Sequence, residues 1–190
     1  MASNSTIVMD IETAPYRTDE YASAFPKSKK KPGLHAIVSQ VVAVGLCVDG
    51  HPSVIGWSEF GSEKAILERL AIALQQSSNY NMVGFNIRKF DIPVLRTRAV
   101  KYGLRLDLPN ERSPRLTDIY EAMGGKWAAD VSSCTLSELG WHLYGQGKAT
   151  DGGDVARWFA SGEFEKIEAH CLEDIVLTDR VFRDFRGALW

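Results

Sequence analysis

The spacing of apolar and polar residues predicts mainly strands in the first part of the chain and mainly helices in the later part. β-branched and apolar residues at 6–11 predict a strand that is buried on both faces, ending at Ala14-Pro15. Similar runs at 37–49 and 53–57 predict two more strands, joined through an Asp-Gly turn. The first three strands are therefore predicted to form an antiparallel meander, and the polar segment between the first two is predicted to lack regular structure.

The remaining elements follow from helical spacing, caps and turn residues. In chain order they are a helix over 62–77, a strand over 80–85, a helix from Asp91 to about 102, a strand over 115–118, a helix start at 119–123, a helix over 135–144 with a capping box, a short helix over 155–159 and a long helix over 163–186. This order predicts an α/β fold whose mixed central sheet has three antiparallel strands followed by parallel strands, with helices on both faces.

Composition narrows the class of protein without identifying it. The 190 residues, 45% hydrophobic and 24% charged, predict a single domain over 1–190, and the net charge of −2 disfavours a nonspecific nucleic-acid binder. The N-terminus has no basic segment followed by an apolar one, so we expect a cytoplasmic protein. Cys47, Cys134 and Cys171 are far apart and form no zinc or redox motif, so Cys47 and Cys171 are interpreted as small buried residues.

Acidic residues occur where the pattern predicts burial. Asp10 and Glu12 are two apart on a strand, so both carboxylates project from one face and repel each other. A cation between them would relieve the repulsion, although a strand end at which both acids reach solvent explains the pair equally well. His170 and Asp174 are four apart on the last helix and share one face, and Asp91 stands at a strand–helix turn. Together, four carboxylates and one histidine suit two hard divalent cations and one general base.

Three motifs resemble those of the DEDD, or DnaQ-like, 3′–5′ exonucleases. They are Asp10-Ile-Glu12-Thr13, then Gly84-Phe-Asn86-Ile-Arg-Lys-Phe90-Asp91-Ile-Pro, and finally His170-Cys-Leu-Glu-Asp174 followed by Thr178. The chain looks most similar to the proofreading domain of family-B DNA polymerases and its free-standing relatives, which implies an RNase H-like fold and leaves no room for a polymerase module. It departs at His170, where the polymerase-like branch has tyrosine; the other branch has its histidine one position earlier, at Ala169 here. The catalytic subtype therefore stays open.

The resemblance implies a metal-dependent nuclease that releases nucleoside 5′-monophosphates from the 3′ end of a nucleic acid, with single-stranded DNA favoured as substrate. Two Mg²⁺ or Mn²⁺ ions would be bridged by Asp10, with Glu12 and Asp174 at the water-activating ion and Asp91 at the second ion. His170 would accept the proton of the attacking water, for which an imidazole with its usual pKa of ~6.5 suits neutral pH better than a phenol. Two alternatives remain: an exoribonuclease acting on short RNA, and a noncatalytic binding module of the same fold.

Substrate contacts are also implied by the resemblance, and each has a simpler explanation. Thr13 would meet the terminal 3′-hydroxyl or only end the strand, Asn86 would contact the substrate strand or only cap a turn, and Phe90 would stack on a base or only join the core. A lysine run at 27–31 could contact phosphates or be a solvated loop. A local excess of basic residues could follow a single strand or serve only solubility; it consists of Arg88, Lys89, Arg96, Arg98, Lys101, Arg105, Arg112 and Arg115.

Overall fold

A five-stranded sheet forms the centre of the molecule. The computed structural model describes residues 5–27, 34–77, 79–123, 134–147 and 152–189. The strands are β1 (Thr6–Pro15), β2 (Ser39–Val48), β3 (His51–Gly56), β4 (Asn81–Gly84) and β5 (Leu116–Asp118), in the spatial order β3-β2-β1-β4-β5. β1 and β3 pair with β2 in antiparallel fashion, whereas β4 is parallel to both β1 and β5. This arrangement confirms the predicted mixed sheet.

The helices of the described residues occur largely where the sequence predicts them. They are α1 (Thr18–Ala24), α2 (Trp57–Phe60), α3 (Glu63–Gln76), α4 (Asp91–Lys101), α5 (Ile119–Ala122), α6 (Leu136–Tyr144), α7 (Val155–Ala160) and α8 (Phe164–Leu189). The side chain of Ser62 caps α3, and Thr135 with Glu138 forms the predicted capping box of α6. Both caps satisfy N–H groups that the first turn of a helix leaves without an intrahelical acceptor.

The short helices α1 and α2 were not predicted, and Trp57, which was predicted to end a strand, begins α2. α1 lies in the segment that was predicted to be irregular; it buries no residue, so its sequence carries no apolar periodicity to reveal it. β1 continues to Pro15, which confirms the predicted strand end at Ala14-Pro15. Its last residues still pair with β2, with Pro15 opposite Ser39, and a proline at a strand terminus removes little from the ladder.

Helices cover both faces of the sheet, and the alternation along β1 decides which side chains face which layer. Ile7, Met9 and Ile11 belong to the core shared with α3 and α4, whereas Val8 packs with residues of α6 and α8. Since strand side chains alternate between faces, Asp10 and Glu12 project with Val8 toward α8. The sheet therefore aims both carboxylates of β1 at the long C-terminal helix.

A buried ion pair joins α3 to α4 on the other face. Arg98 Nε and Nη2 donate to Glu63 Oε1 and Oε2 at 2.7 and 2.6 Å, and Glu63 Oε1 also accepts the N–H of Val41 at 2.8 Å. Both side chains are almost fully buried. The pair thus fixes two helices against β2.

No helix among the described residues is both long and apolar enough to cross a membrane. Most of the lysine run at 27–31 falls outside the described residues, as does the middle of the glycine-rich loop that follows α6.

Candidate metal centre

The carboxylate of Glu12 on β1 approaches two side chains of α8. His170 Nε2 lies 3.4 Å from Glu12 Oε1 and 4.0 Å from Asp174 Oδ2. His170 is 2% exposed, while Glu12 and Asp174 are each 8% exposed. His170 and Asp174 reach the same point because they are one helical turn apart, as their spacing predicts.

Asp10 lies beside Glu12 on the same face of β1 and is less buried than Glu12. Opposite it on β2 stands Gly45, where a Cβ atom would lie 2.6 Å from Ile175 Cγ2 and 2.9 Å from Cys171 Sγ. The missing side chain lets α8 approach the sheet closely enough for its residues to meet the β1 carboxylates. Glycine in a strand interior often marks such a close approach.

Cys171 also lies next to the site, a position that the sequence did not predict. Its Sγ lies 3.9 Å from the backbone oxygen of Asp10 and 4.0 Å from Asp10 Oδ2, and donor atoms of Asp10, Glu12 and Cys171 converge within 4.8 Å of one another. Burial raises the pKa of the Cys171 thiol well above its usual value, and the nearby carboxylates raise it further. The prediction that Cys171 is buried is confirmed, but nothing in its sequence context indicates a thiol among acids.

Asp91 is held at the first turn of α4 by the backbone of β1. Its Oδ1 accepts the N–H of Ile11 at 3.0 Å, beyond the point where β4 stops pairing with β1. Asp91 is 2% exposed, and this burial raises its pKa to about 7, against the lowering effect of the backbone N–H groups. Asp118 and Asp174 raise the pKa of Asp91 further through their negative charges. Among the described residues, the two tight groups of donor atoms do not include Asp91.

Asp118 orders the turn that leads to Asp91. Its carboxylate accepts the N–H groups of Asn86 at 2.9 Å and Arg88 at 3.0 Å, and it caps α5 through Glu121. Burial raises the pKa of Asp118 in spite of these hydrogen bonds. Asp118 was not among the predicted site residues. Its position as the last residue of β5, immediately before α5, was the available signal, because α/β folds present functional side chains at such strand ends.

The donor set fits a divalent cation. Four carboxylates gather around one buried thiol, and like charges at such distances favour a cation or a proton among them. The buried Oδ1 of Asp174 accepts no hydrogen bond from the described residues, which is an unfavourable arrangement for a carboxylate oxygen that binds no cation. Carboxylate oxygens are the ligands that Mg²⁺ and Mn²⁺ prefer in proteins.

The residues predicted to bind substrate lie around this centre in different environments. Thr13 is 8% exposed, just past a register shift in the β1–β2 ladder. Asn86 has a left-handed backbone with φ 59°, and its backbone oxygen accepts the N–H groups of Lys89 and Phe90 in the turn before α4. Phe90 is half-buried, packs against the main core and immediately precedes α4. Substrate contacts by these three residues remain predictions.

Several of the basic residues are engaged by acids instead of facing open solvent. Arg98 is buried against Glu63, so neither of the uses considered for the basic residues, contact with a single strand or solubility, applies to it. Arg88 and Lys89 both contact Glu121, and Arg96 contacts Glu111. These pairs are partly exposed and retain some access to solvent. The excess of positive charge in this region is thus smaller in the fold than in the sequence.

A cleft opens at the carboxyl ends of β4 and β5. It has a volume of about 540 Å³ and is lined by residues that include Phe85, Asn86, Lys89, Tyr120 and Leu136. The rings of Phe85 and Tyr120 meet edge to face, with centroids 5.5 Å apart, and Lys89 Nζ lies 5.5 Å from the Tyr120 centroid. Aromatic rings beside a cation are a common surface for nucleobases and phosphates.

Comparison with known proteins finds a matching family model and a solved structure with a similar fold. Residues 31–188 match the model of a family described as a predicted 3′–5′ exonuclease related to the exonuclease domain of PolB. This range includes Asp91, His170 and Asp174 but begins after Asp10 and Glu12. No curated protein matches the chain significantly.

The fold is similar to part of a solved structure, that of the family B DNA polymerase from the hyperthermophilic archaeon Pyrobaculum calidifontis, with a TM-score of 0.70 and 16% sequence identity. The similarity covers 97% of this chain and 25% of the polymerase chain, so this chain spans about a quarter of that protein. At this identity the similarity shows the fold alone, and it confirms the predicted RNase H-like architecture.

Proposed function

Because the chain belongs to the family of predicted 3′–5′ exonucleases related to the exonuclease domain of PolB, we propose that it degrades single-stranded DNA from a free 3′ end and releases nucleoside 5′-monophosphates. The observation that carries the proposal is the approach of Glu12 on β1 to His170 and Asp174 on α8. A buried group of this kind, next to further carboxylates, can hold the divalent cations of a two-metal phosphodiester hydrolysis.

Four carboxylates would hold the cofactor, which we propose to be two Mg²⁺ or Mn²⁺ ions: Asp10, Glu12, Asp91 and Asp174. When bound, the ions supply Lewis-acid stabilisation of the negative charge that develops on the phosphate and on the leaving oxygen. The protein's contribution is to keep the carboxylates in place through the rigid strand β1 and the first turn of α4. The hydrogen bond from the Ile11 N–H to Asp91 fixes that carboxylate from the backbone.

His170 would orient the attacking water and accept its proton. Its Nε2 points toward Glu12 and Asp174, and its ring packs against Trp158 with centroids 6.0 Å apart. Burial of the ring limits its rotation, which favours a proton acceptor held in one position. Asp174, one turn along α8, keeps negative charge near the imidazolium that forms.

The cleft at the ends of β4 and β5 suits bases that are not paired. Phe85 and Tyr120 offer aromatic surface, and Lys89, which also contacts Glu121, lies beside Tyr120. Only an unpaired strand can turn its bases into such a cleft, which favours a single strand over a duplex. Asn86 lines the same cleft, and we propose that Thr13 and Phe90 contact the terminal nucleotide.

Degradation of defined oligonucleotides tests this function. Wild-type protein with Mg²⁺ or Mn²⁺ should shorten 5′-labelled single-stranded DNA stepwise from its 3′ end, and a 3′-phosphate should block the reaction. Asp10→Asn and Asp174→Asn should each lower kcat by at least ~100-fold, because each removes a cation ligand needed in the transition state. Glu165→Gln, an exposed change on the same helix as Asp174, is the matched control and should retain full activity.

The same assay separates the alternatives. Equal cleavage of a circular single strand would contradict an exonuclease, and preference for matched RNA oligomers would replace DNA with RNA as the substrate. If no nucleotide is released from any strand with either ion, the chain is a noncatalytic binding module of this fold.

A further inference from the structure

The group formed by Glu12, His170 and Asp174 differs in chemistry from a site built of carboxylates alone. It combines one imidazole nitrogen with two carboxylate oxygens, and the three donor atoms lie within 4.8 Å of one another. All three residues are buried, with exposures of 8% for Glu12, 2% for His170 and 8% for Asp174. Imidazole is a poor ligand for Mg²⁺ but a good one for Zn²⁺, and divalent affinity for mixed nitrogen and oxygen sites rises toward the end of the first transition row.

The distances suit a small ion. Two ligand atoms that are each ~2.0–2.1 Å from one zinc ion at tetrahedral angles lie about 3.3 Å apart. His170 Nε2 and Glu12 Oε1 already meet this spacing at 3.4 Å. The spacing from Nε2 to Asp174 Oδ2 is 4.0 Å, and every pair of donor atoms lies within 4.8 Å, so side-chain movements of up to ~1.5 Å would complete the set.

The group lies against the end of the glycine-rich loop. A Cβ atom at Gly152 would lie 3.6 Å from His170 Nε2, so the backbone of this loop runs close to the imidazole. Three protein ligands with one position left for water are a common arrangement for zinc.

We propose that Glu12, His170 and Asp174 form a binding site for one Zn²⁺ ion, and that zinc at this site inhibits the nuclease. The ion would be held by two negative charges and one neutral nitrogen, which balances its own charge. It would use the same nitrogen that accepts the proton in the proposed reaction and two of the carboxylates that hold the magnesium or manganese ions. The proposal that zinc binds depends only on the geometry of the three residues, whereas the proposal that zinc inhibits also depends on the proposed function.

Metal binding to the chelator-treated protein tests the site without any assay of activity. Calorimetric titration should give one zinc ion per chain, with an affinity at least ~100-fold above that for Mg²⁺. His170→Gln should lower zinc affinity by at least ~30-fold and change Mg²⁺ affinity by less than ~3-fold, because only zinc uses the imidazole. Circular dichroism of the variant verifies that it is folded.

Cobalt substitution tells the two groups of donor atoms apart in the wild-type protein. Co²⁺ in the proposed site has nitrogen and oxygen ligands only, so its spectrum should lack the intense near-ultraviolet band of a cobalt–thiolate bond. Cys171→Ser should leave zinc affinity unchanged, because Cys171 belongs to the other group, with Asp10 and Glu12. A thiolate band that disappears in Cys171→Ser would place the ion at that other group and overturn the proposal.

Two further results would also overturn it: zinc binding no tighter than magnesium binding, or zinc affinity unaffected by His170→Gln. The contact between His170 and Glu12 would then be an ion pair only. For inhibition, Zn²⁺ added until it displaces Mg²⁺ from the site should abolish nucleotide release, and chelation of the zinc should restore it. Undiminished nucleotide release at zinc concentrations that saturate the site would contradict inhibition. If no nucleotide is released even without zinc, the proposed function is contradicted, but the measured zinc binding is unaffected.

Discussion

At the scale of single residues, burial decides the charge state of Asp91. The folded protein raises the pKa of this carboxyl to about 7 from an ordinary value of 3.8, chiefly because water is excluded from it. Between these two values the folded state holds a proton that the unfolded state releases. Rising pH therefore destabilises the metal-free fold across this window, and a bound cation would remove the penalty.

The first prediction follows from the fall in stability of the metal-free protein as pH rises. Asp91→Asn keeps an oxygen that can accept the Ile11 N–H but carries no charge, so we expect it to raise the unfolding free energy of the metal-free protein by roughly 1–3 kcal/mol at pH 8. The gain should shrink as pH falls toward 4. Chemical denaturation of both proteins with chelator, at pH 5 and pH 8, measures it.

The matched control is Asp107→Asn, an exposed acid, which should shift stability little at either pH. A stability difference for Asp91→Asn that is the same at pH 5 and pH 8 would show that the carboxyl of Asp91 titrates normally. Activity should fall in Asp91→Asn, since the proposed function uses the carboxylate to hold a metal ion.

At the scale of elements, the close contact between α8 and the sheet positions two of the three residues in the proposed zinc site. β2 permits this contact through Gly45, which lies opposite Asp10 and beneath Cys171 and Ile175. Interiors are packed too densely to admit an added methyl group at such short distances. The geometry of the metal centre therefore depends on a residue that carries no functional group.

The second prediction tests this packing. Gly45→Ala should destabilise the protein by roughly 1–3 kcal/mol and also lower activity, because the new methyl group pushes α8 away from β1. Thermal unfolding and the nuclease assay together measure both effects. Gly187→Ala is the control: it lies in α8 with open space around its Cα, and should leave activity unchanged and stability equal or higher. Normal activity in Gly45→Ala would show that the helix position is not critical.

The third prediction concerns the ion pair between α3 and α4. Glu63→Ala should cost roughly 3–5 kcal/mol of stability, because it leaves the buried Arg98 guanidinium without its carboxylate and removes the acceptor of the Val41 N–H. Glu68→Ala, which breaks the exposed pair with Lys64, should change stability by less than ~1 kcal/mol. Urea denaturation of the two variants gives the comparison, and equal costs would mean that burial of the Glu63 pair contributes nothing.

At the scale of the whole molecule, the metal centre joins parts that are distant along the chain. β1 brings Asp10 and Glu12, α4 brings Asp91, and α8 brings His170 and Asp174. Repulsion among the carboxylates opposes the assembly of these elements, so a cation at the centre should stabilise the entire fold.

The fourth prediction is that Mg²⁺ or Mn²⁺ raises the thermal midpoint of the wild-type protein and that a chelator reverses the change. At an ion concentration ~100 times the dissociation constant, the stabilisation should approach ~3 kcal/mol. It should be larger at pH 8 than at pH 5, because protons compete with the ion for Asp91. In Asp10→Asn the midpoint should respond little to either ion; an equal response would place the bound ion elsewhere.

The sequence by itself determined much of the architecture, because local signals were strong where the elements are amphipathic or capped. The β-branched run of β1, the serine cap of α3, the capping box of α6 and the apolar spacing of α8 each identified an element that the structure contains. α1 escaped detection because it buries nothing. Spacing along one strand or one helix also placed Asp10 with Glu12, and His170 with Asp174, on shared faces. The resemblance to the exonuclease motifs added Asp91 and the proposed roles of all five residues.

Only the tertiary structure decided how those faces meet. It brought Glu12 to His170, held Asp91 on the backbone of β1, placed the Cys171 thiol beside Asp10, and withdrew Arg98 into a buried pair with Glu63. None of these contacts has a local signal, because each joins residues at least 35 positions apart through a shared packing surface. Burial, and with it the raised pKa of Asp91, exists only after that packing has formed.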